Sequence, residues 1–486
     1  MNLDLLRPEI CLAVTAVVVI AVDLLCRHKW LVTVVSIAGL LASAGLALSL
    51  SGGAPQSIGN GLFALDAYAI YFKFLFLGIT LLAILASVDY VNRLPKLNGE
   101  FHALVLTAAL GAMLTAAAQD IISILLSIEL TAISLYALVA MLKDSKSSES
   151  AVKYILLGAV NSAVLLFGLA LVFGFSGSTG LDGIRDAVHS IRPDNIAESA
   201  GLLLGLALTL SGFAFKIAAV PFHMWAPDVY EGSPTPITLF LSTVSKLAGF
   251  SILARFVIMT MSFQSDALSN TFGITLAVIS AASMTAGNLL AIKQHSIKRL
   301  LAYSSIAQSG YMLMLIATAP INSSPSTDGY GYSLLCYMIA FALAELAVFT
   351  VIIIASKHAD HDTTDDYAGL AKRSPLLACA MTLGLLSLMG MPPLVGFLGK
   401  FCVFIEVAQH GLVWLVIIAV VNSVISAYYY LKIIRTIWME APASTDNIKS
   451  SIAPKLVLLV SCFGLLLFCV LPMLLIKYFE WLGLHY

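Results

Sequence analysis

Four charged residues lie inside long apolar stretches of the sequence, where ionised side chains are rare. Glu129 has eight uncharged residues before it and thirteen after it, and Lys216, Lys246 and Lys400 also fall within predicted apolar helices. A charge near the centre of a bilayer costs at least about 2.5–3.5 kcal/mol on insertion scales, so such residues usually face a protein interior or a water-filled cavity. A lysine buried beside a carboxylate can gain and lose a proton near neutral pH. We therefore predict that these four residues form a proton relay.

Other charged residues in predicted helices leave more than one interpretation open. Glu345 also lies deep in an apolar stretch, where a relay role and a packing role are both open, and His223, near a helix end, is a further possible relay residue. Lys73 and Asp66 lie near the start of the third predicted helix, which favours a pair that reaches the membrane surface. Arg255 is interpreted as a structural anchor. The alternative for the four relay residues is likewise structural: lysines that snorkel from helix ends, or a carboxylate held in an ion pair.

The elements that must position these residues are membrane helices. Of 486 residues, 60% are hydrophobic and 11% are charged, and the mean hydropathy is +0.96. Soluble domains carry about 45–50% apolar and about 25% charged residues, so a soluble protein is excluded. Because a spanning helix needs about 20 apolar residues, the sequence predicts an all-α polytopic membrane protein with about 14 spans. The spans centre near Val17, Leu40, Ile79, Leu110, Leu130, Leu165, Leu208, Val244, Ile279, Leu313, Val348, Leu385, Val421 and Leu466.

Charge and cysteine patterns exclude several classes of function. The 26 Lys and Arg residues almost cancel the 27 Asp and Glu residues, so we expect no nucleic-acid partner. The seven cysteines form no C-x-x-C pair, and the sequence contains neither a P-loop nor a G-x-G-x-x-G after a predicted strand. We therefore expect this chain itself to bind no metal, cofactor or nucleotide, with the lipid bilayer as its main surroundings.

The distribution of basic residues predicts how the helices are oriented. Predicted odd-numbered loops carry 17 Lys and Arg residues, whereas the tails and the even-numbered loops carry four. Cytoplasmic loops are enriched in these residues, so the odd-numbered loops are placed on the cytoplasmic side. With an even number of helices, both termini then face outward, which for a bacterial inner membrane is the periplasmic side.

A short internal repeat relates two of the lysines. Gly212–Lys216 in predicted helix 7 and Gly396–Lys400 in predicted helix 12 share the form G-F-x-x-K, and Pro221 and Pro392-Pro393 lie near them as helix breakers. A shift of five helices reverses a segment in the membrane, and inverted repeats with broken helices are a known transporter plan. The prediction is one membrane domain, residues 1–486, with inverted five-helix repeats and broken helices 7 and 12. Its parts are helices 1–3 (1–101), helices 4–8 (102–262), helices 9–13 (271–438) and helix 14 (452–478).

Four motifs carry a resemblance to a known family. They are PFHMWAPDVYEGSP at residues 221–234, IKRLLAYSSI at 297–306, MPPLVGFLGKF at 391–401 and YYYLK at 428–432. Together they closely resemble the antiporter-like membrane subunits of respiratory complex I, the proton-pumping NADH–quinone oxidoreductase. The W-x-P-D-V-Y-x-G-x-P form looks like that of the N-type branch. The sister subunits and the multisubunit cation/proton antiporters typically have histidine where this chain has Tyr230.

The resemblance implies a role for each relay residue. Glu129 and Lys216 match the family's helix-5 glutamate and helix-7 lysine, which would form the coupling pair of the first half-channel. Lys246 matches the helix-8 lysine that leads to the centre, and Lys400 matches the helix-12 lysine that exchanges protons with the outer side. Lys298 matches a lysine of the family's IKR motif and is a further possible relay residue.

The resemblance also implies partners and cofactors outside this chain. The partners would be the sister antiporter-like subunits and small membrane subunits of the complex. FMN, iron–sulfur clusters and quinone would belong to other subunits, and this chain would carry no redox centre.

Some residues depart from the family pattern and keep alternatives open. Gln308 stands where many respiratory members have histidine, and photosynthetic relatives that use ferredoxin and plastoquinone also have glutamine there. Glu345 and Lys293 match no family position, so the electron donor, NADH or ferredoxin, stays open. Alternative functions are a cation/proton antiporter, acting alone or as one subunit of several, a subunit of a ferredoxin–plastoquinone complex, and a scaffold whose buried charges only hold a complex together.

Overall fold

The chain folds almost entirely into helices. The computed structural model describes residues 3–26, 28–53, 55–59, 61–94, 97–192, 199–261, 263–321, 328–356, 363–442, 448, 450–470 and 477. The first nine helices are α1 (Arg7–Leu25), α2 (Trp30–Ser49), α3 (Ala67–Val91), α4 (Asn98–Ala117), α5 (Ile121–Val139), α6 (Ser145–Ser176), α7 (Leu181–His189), α8 (Ala200–Lys216) and α9 (Trp225–Gly232). The remainder are α10 (Thr235–Phe240), α11 (Lys246–Thr260), α12 (Asp266–Ala291), α13 (Ile297–Ile316), α14 (Asp328–Ala355), α15 (Leu370–Arg373), α16 (Pro375–Met389), α17 (Val395–Gln409), α18 (Val413–Met439) and α19 (Ile452–Val470).

The length and apolarity of these helices are those of a polytopic membrane protein. Within the described ranges, ten helical segments are long and apolar enough to cross a bilayer, with α10 and α11 joined through a π-helical turn, Leu241–Ser245, into one of them. Three shorter apolar helices are α8, α16 and part of α19. Every one of the 14 predicted span centres lies within a described helix or this π-helical turn.

Helices at the centre of the fold differ from those at its edge. The segment from α10 to α11 and most of α14 are buried on all sides, so these two segments form the protein interior. In contrast, α1, α6 and α18 expose large apolar side chains such as Val17, Val160 and Val424, each at least 65% exposed. So many exposed apolar side chains would be unfavourable in water. They form the surface that faces lipid.

Small elements and boundaries differ from the all-α prediction. Gln56–Ile58 and Phe63–Leu65 form an antiparallel hairpin of two strands, β1 and β2, which the sequence analysis missed because each strand is only three residues long. Helix α7 lies outside the 14 predicted spans, and it buries Leu181, Ile184 and Val188 on one face. The predicted segment ends at residues 262 and 478 lie outside the described residues.

Both predicted breaks are present in the chain path. Helix α8 ends at Lys216 and helix resumes at Trp225, while α16 ends at Met389 and α17 begins at Val395. Gly390 ends α16 with φ +87°, a backbone conformation that glycine adopts most readily. A Cβ at Gly390 would come within 3.0 Å of Cδ of Lys400, so this glycine also leaves room for the lysine stem.

The predicted surface pair of Lys73 and Asp66 is wrong. Lys73 is 1% exposed, and its Nζ lies 2.8 Å from Oε1 of Glu9 on α1, whose side chain is also buried. Asp66 instead accepts two bonds from Arg255, at 2.8 and 2.9 Å. Burial alone would raise the pKa of the Asp66 carboxyl, but the charge and hydrogen bonds of Arg255 and the amide of Ala69 together hold it below its ordinary value. Arg255 is thus the structural anchor that the sequence suggested.

The buried ion pair of Glu9 and Lys73 gives a test of the packing. Lys73→Met should destabilise the purified protein by about 3–5 kcal/mol, because it leaves a buried carboxylate without its counter-charge. The double variant Glu9→Leu/Lys73→Met should recover most of that loss. The unfolding temperature of the purified protein in detergent measures the stability of the single and the double variant.

Lys29→Met is the matched control, because Lys29 also pairs with a carboxylate at 2.8 Å but is 33% exposed. Exposed pairs contribute about 0–1 kcal/mol. Equal losses of stability in Lys73→Met and Lys29→Met would contradict the structure, because they would show that the Glu9–Lys73 pair is not shielded from solvent.

Candidate functional site

The first group of relay residues contains Glu129 and Lys216. Glu129 lies on α5 and accepts a 2.5 Å hydrogen bond from the hydroxyl of Ser162 on α6. Lys216 is the last residue of α8, where the chain leaves the helix. No nitrogen–oxygen contact within 4 Å joins these two described residues, although their charges interact. They are near each other without forming a closed ion pair.

A small cavity extends from Lys216 towards the centre of the fold. It has a volume of about 20 Å³, and a space of about 10–15 Å³ accommodates one water molecule. Its lining brings together α4, α5, α6, α8 and α11, with hydroxyl groups among apolar side chains: Thr115, Ile128, Thr131, Ala132, Tyr154, Lys216, Ser245, Ala248 and Gly249. The lining thus contains Lys216 itself and the residues that precede Glu129 and Lys246 in sequence.

Lys246 occupies the centre of the fold. It is 2% exposed and is the first residue of α11, directly after the π-helical turn. Its Nζ donates to the backbone carbonyl of Ser305 on α13 at 2.7 Å and to the hydroxyl of the same residue.

Glu345 on α14 is the carboxylate that interacts with Lys246. It is completely buried, and its charge acts on Lys246. Among the described residues, neither carboxylate oxygen of Glu345 has a hydrogen-bond partner. The Ser242 hydroxyl lies beside it, but this hydroxyl donates to the carbonyl of Leu239 at 3.0 Å. A buried carboxylate without a partner is costly, which makes Glu345 a candidate for protonation and deprotonation.

Among the described residues, the partners of Lys400 on α17 are neutral. Its Nζ donates to the carbonyls of Leu388 at 2.9 Å and Met389 at 3.2 Å, both in the last turn of α16. It also lies 4.3 Å from the ring centroid of Tyr311, a distance at which cation and ring attract each other. Lys400 is 4% exposed. The end of a broken helix thus supplies the carbonyl groups that hold this ammonium.

Polar side chains occupy the space between Lys246 and Lys400. Gln308 on α13 donates from Nε2 to the carbonyl of Leu388 at 2.8 Å and approaches the hydroxyl of Tyr430 at 3.5 Å. Tyr337 on α14 donates to Oε1 of Gln308, and the hydroxyl of Tyr430 on α18 is hydrogen-bonded to that of Ser304. Ser304 is adjacent in sequence to Ser305, the partner of Lys246.

The two remaining predicted residues lie apart from this row. Lys298 is 5% exposed and donates to the carbonyl of Ser233 at 3.3 Å. It lines a polar cavity of about 670 Å³ together with residues such as Asp144 and Glu231. His223 lies in the non-helical segment after α8. Among described residues, no hydrogen bond or ion pair links His223 to the four relay residues.

Sequence reasoning identified the charges but missed several of their polar partners. Ser162, Ser305 and Tyr337 were not singled out, since uncharged residues in an apolar helix give little signal. Their partners lie 33, 59 and 29 positions away in sequence. The available clues to these polar contacts were the two adjacent serines of the 297–306 motif and the three tyrosines at 428–430.

The arrangement places ionisable groups in a row with polar contacts between them. Glu129 and Lys216 are followed by a water-sized cavity, then by Lys246 with Glu345, then by the amide and hydroxyl cluster, and finally by Lys400. Groups of this kind can exchange protons, and a change in charge at one alters the electrostatic energy of the next in a medium of low dielectric constant. The described groups are therefore chemically suited to exchange protons with their neighbours.

Comparison with known proteins identifies the family. Residues 118–426 match the family described as NADH:quinone oxidoreductase/Mrp antiporter. The chain is 44% identical over 480 residues to NADH-quinone oxidoreductase subunit N of Dehalococcoides mccartyi, covering 98% of each chain. It superposes on a chain of respiratory complex I from Thermus thermophilus with a TM-score of 0.82 and 32% identity, over 97% of this chain and 99% of that one.

A more distant structure shares the fold. A chain of the membrane-bound sulfane sulfur reductase, an archaeal respiratory membrane complex, matches with a TM-score of 0.85 at 24% identity, over 99% of this chain and 96% of that one. The matches to the Dehalococcoides mccartyi and Thermus thermophilus proteins are long and more than 30% identical, and residues 118–426 match the family itself. Together they show common family membership and not only a common fold. The chain belongs to the NADH:quinone oxidoreductase/Mrp antiporter family and, within it, to the subunit N proteins.

Proposed function

We propose that the chain is the proton-translocating subunit N of an NADH–quinone oxidoreductase. It performs no redox step; electron transfer from NADH to quinone in other subunits drives protons through it. The row of ionisable groups from Glu129 to Lys400 carries this proposal, because each such group is expensive to place in a membrane and here each has a polar or charged neighbour. Glu129 and Lys216 are half-buried, whereas Lys246, Glu345 and Lys400 are buried. Membership of the subunit N proteins supports it.

In the first half of the path, the Glu129–Lys216 interaction sets the charge on Lys216. The two groups interact across a gap rather than through a direct contact. In a medium of low dielectric constant, the Coulomb energy of two charges depends strongly on the distance between them. A small movement of either side chain therefore changes the interaction energy between Glu129 and Lys216. When the interaction weakens, Lys216 releases its proton into the cavity that it lines. From there the proton passes to Lys246.

In the second half, Lys246 and Glu345 form the central acid–base pair. Both are buried, and no backbone or side-chain hydrogen bond fixes the carboxylate. Arrival of a proton at this pair neutralises the carboxylate or charges the amine, and either outcome alters the energy of the next group. Lys400 then receives the proton and delivers it to the outer side. Lys298 and His223 lie outside the row, and we assign Lys298 to the polar cavity at the membrane edge.

The proposal also covers the arrangement of the whole chain in the membrane. In this arrangement the chain has 14 spans, helices 4–8 and 9–13 are inverted repeats, and both termini lie on the periplasmic side of a bacterial inner membrane. The two G-F-x-x-K segments, each beside a helix break, support the repeat. The partners are the sister antiporter-like subunits and small membrane subunits, and FMN, iron–sulfur clusters and quinone belong to other subunits.

Replacement of either outer lysine tests the relay. Lys216→Ala and Lys400→Ala should lower quinone-coupled proton pumping in membrane vesicles, because each removes a proton-accepting group, while the complex still assembles. Pumping is followed with a pH-sensitive dye during quinone reduction, and assembly by gel electrophoresis of the native complex.

Lys432→Ala is the control, because Lys432 is an exposed lysine on α18 outside the row. It should pump like the unmodified complex. Full pumping in both the Lys216 and Lys400 variants would rule out the assignment, and loss of assembly instead of pumping would favour a scaffold role for the charges.

Glu345→Gln tests the central pair separately. The amide keeps the size of the side chain but cannot exchange a proton, so pumping should fall to the level of the Lys400→Ala variant, provided that the native complex is intact. Glu406→Gln is the matched control, because Glu406 on α17 is 20% exposed and lies outside the row. Unchanged pumping in Glu345→Gln would assign this carboxylate to packing.

Reconstitution of the purified chain distinguishes a self-sufficient antiporter. In liposomes with an imposed sodium or potassium gradient, the chain alone should produce no cation-dependent proton movement, since coupling comes from other subunits. Exchange that disappears in the Lys216→Ala variant would instead establish antiport as the activity.

A further inference from the structure

The amide of Gln308 has a determined orientation. The carbonyl of Leu388 can only accept a hydrogen bond, so the Gln308 atom 2.8 Å from it is the amino nitrogen Nε2. The other amide atom, Oε1, accepts the hydroxyl proton of Tyr337. Both ends of the side chain are therefore fixed by partners on α16 and α14, and Gln308 itself is 1% exposed.

This orientation also restricts where the hydroxyl proton of Tyr430 can point. The same amino nitrogen faces the Tyr430 oxygen at 3.5 Å, and an amino group offers protons but accepts none. On that side Tyr430 can only act as an acceptor. Its own proton is therefore directed to its hydroxyl neighbours, Ser304, with which it shares a hydrogen bond, or Tyr429, and not to Gln308.

Lys400 shares a hydrogen-bond acceptor with the same amide. Its Nζ and Nε2 of Gln308 donate to one and the same carbonyl, that of Leu388, at 2.9 and 2.8 Å. Among the described residues, the hydrogen bonds that connect Tyr430 to Lys400 thus pass through Gln308 and one backbone carbonyl. Neither of these two groups is a proton carrier, because an amide and a peptide carbonyl do not titrate at physiological pH.

We propose that the Tyr430 hydroxyl carries protons between Lys246 and Lys400, and that Gln308 is a positioning residue that holds this link closed. The inference rests on the proposed function and adds a defined gate to it. In the closed state no donor points from Tyr430 to Lys400. When the amide turns away, the hydroxyl is free to point to Lys400, directly or through one water molecule in the space that the amide leaves.

The proton balance of the step is simple. The Tyr430 oxygen accepts a proton from the Ser304 hydroxyl while its own proton leaves for the neutral amine of Lys400. The phenol stays neutral overall, and Lys400 becomes an ammonium. Lys246, which donates to the Ser305 hydroxyl, gives up a proton there, and one water molecule passes a proton from Ser305 to Ser304, so that the Ser304 hydroxyl is restored. One proton enters the link and one leaves it.

Tyr430→Phe is the first test, because it removes the hydroxyl and keeps the ring. In the intact complex, pumping per quinone reduced should fall to the same level as in Lys400→Ala. Tyr71→Phe is the matched control: Tyr71 is fully buried, and its hydroxyl also donates to a backbone carbonyl, that of Leu335 at 2.8 Å, on α14. This variant should pump normally.

Gln308→Ala tests the gate through a different measurement. Vesicles with the variant complex, held without substrate under an imposed membrane potential, should conduct protons faster than vesicles with the unmodified complex. Adding Tyr430→Phe in the same chain should abolish the increase. A leak caused by general damage would persist in the double variant, and such persistence would overturn the proposal.

The outcomes separate this inference from the proposed function. If Lys400→Ala lowers pumping but Tyr430→Phe pumps normally, the relay stands and the Tyr430 link is wrong. If neither variant lowers pumping, the relay itself fails. If Gln308→Ala causes no increase in proton conductance, Gln308 does not hold the link closed.

Discussion

The cost of a charge in a medium that cannot solvate it determines how this protein is built. A buried ion needs a counter-charge, hydrogen bonds or water, and the surrounding helices must supply them. The helices that carry Lys246 and Glu345 lie at the centre, enclosed by protein. Peripheral helices such as α6 and α18 expose apolar side chains to lipid. The fold therefore encloses a few charges within a largely apolar interior and also exposes apolar side chains at its periphery.

Each of the three relay lysines lies where a helix loses its regular hydrogen bonding. Lys216 ends α8, Lys246 follows a π-helical turn, and Lys400 binds carbonyls from the last turn of α16. The last carbonyls of a helix have no partner within that helix, so they are free to accept from an ammonium. At Lys400 the broken helix thus provides solvation in the place of water. Lys246 instead donates to Ser305 within the continuous helix α13.

The sequence alone predicted which charges lie within helices and where two helices break, because both depend on local pattern; the relay role of these charges stays a prediction. A charge within an apolar stretch, or prolines beside a G-F-x-x-K segment, is visible without knowledge of neighbouring helices. The partner of Lys73 was not predictable in this way, since Glu9 is 64 positions earlier and near the start of the chain. Gln308 was noticed only as a departure from a family pattern; its contacts with Tyr337, Leu388 and Tyr430 depend on how α13, α14, α16 and α18 pack.

The partners of the lysines change in kind along the row, and this change suits transport in one direction. Lys216 interacts with the carboxylate of Glu129, and Lys246 interacts with that of Glu345. Lys400 has two carbonyls and the ring of Tyr311 instead. When Lys400 gives up a proton, no carboxylate is left behind with an uncompensated charge, so release there does not draw the proton back. A carboxylate beside Lys400 would hold the proton at the point where the path must let it go.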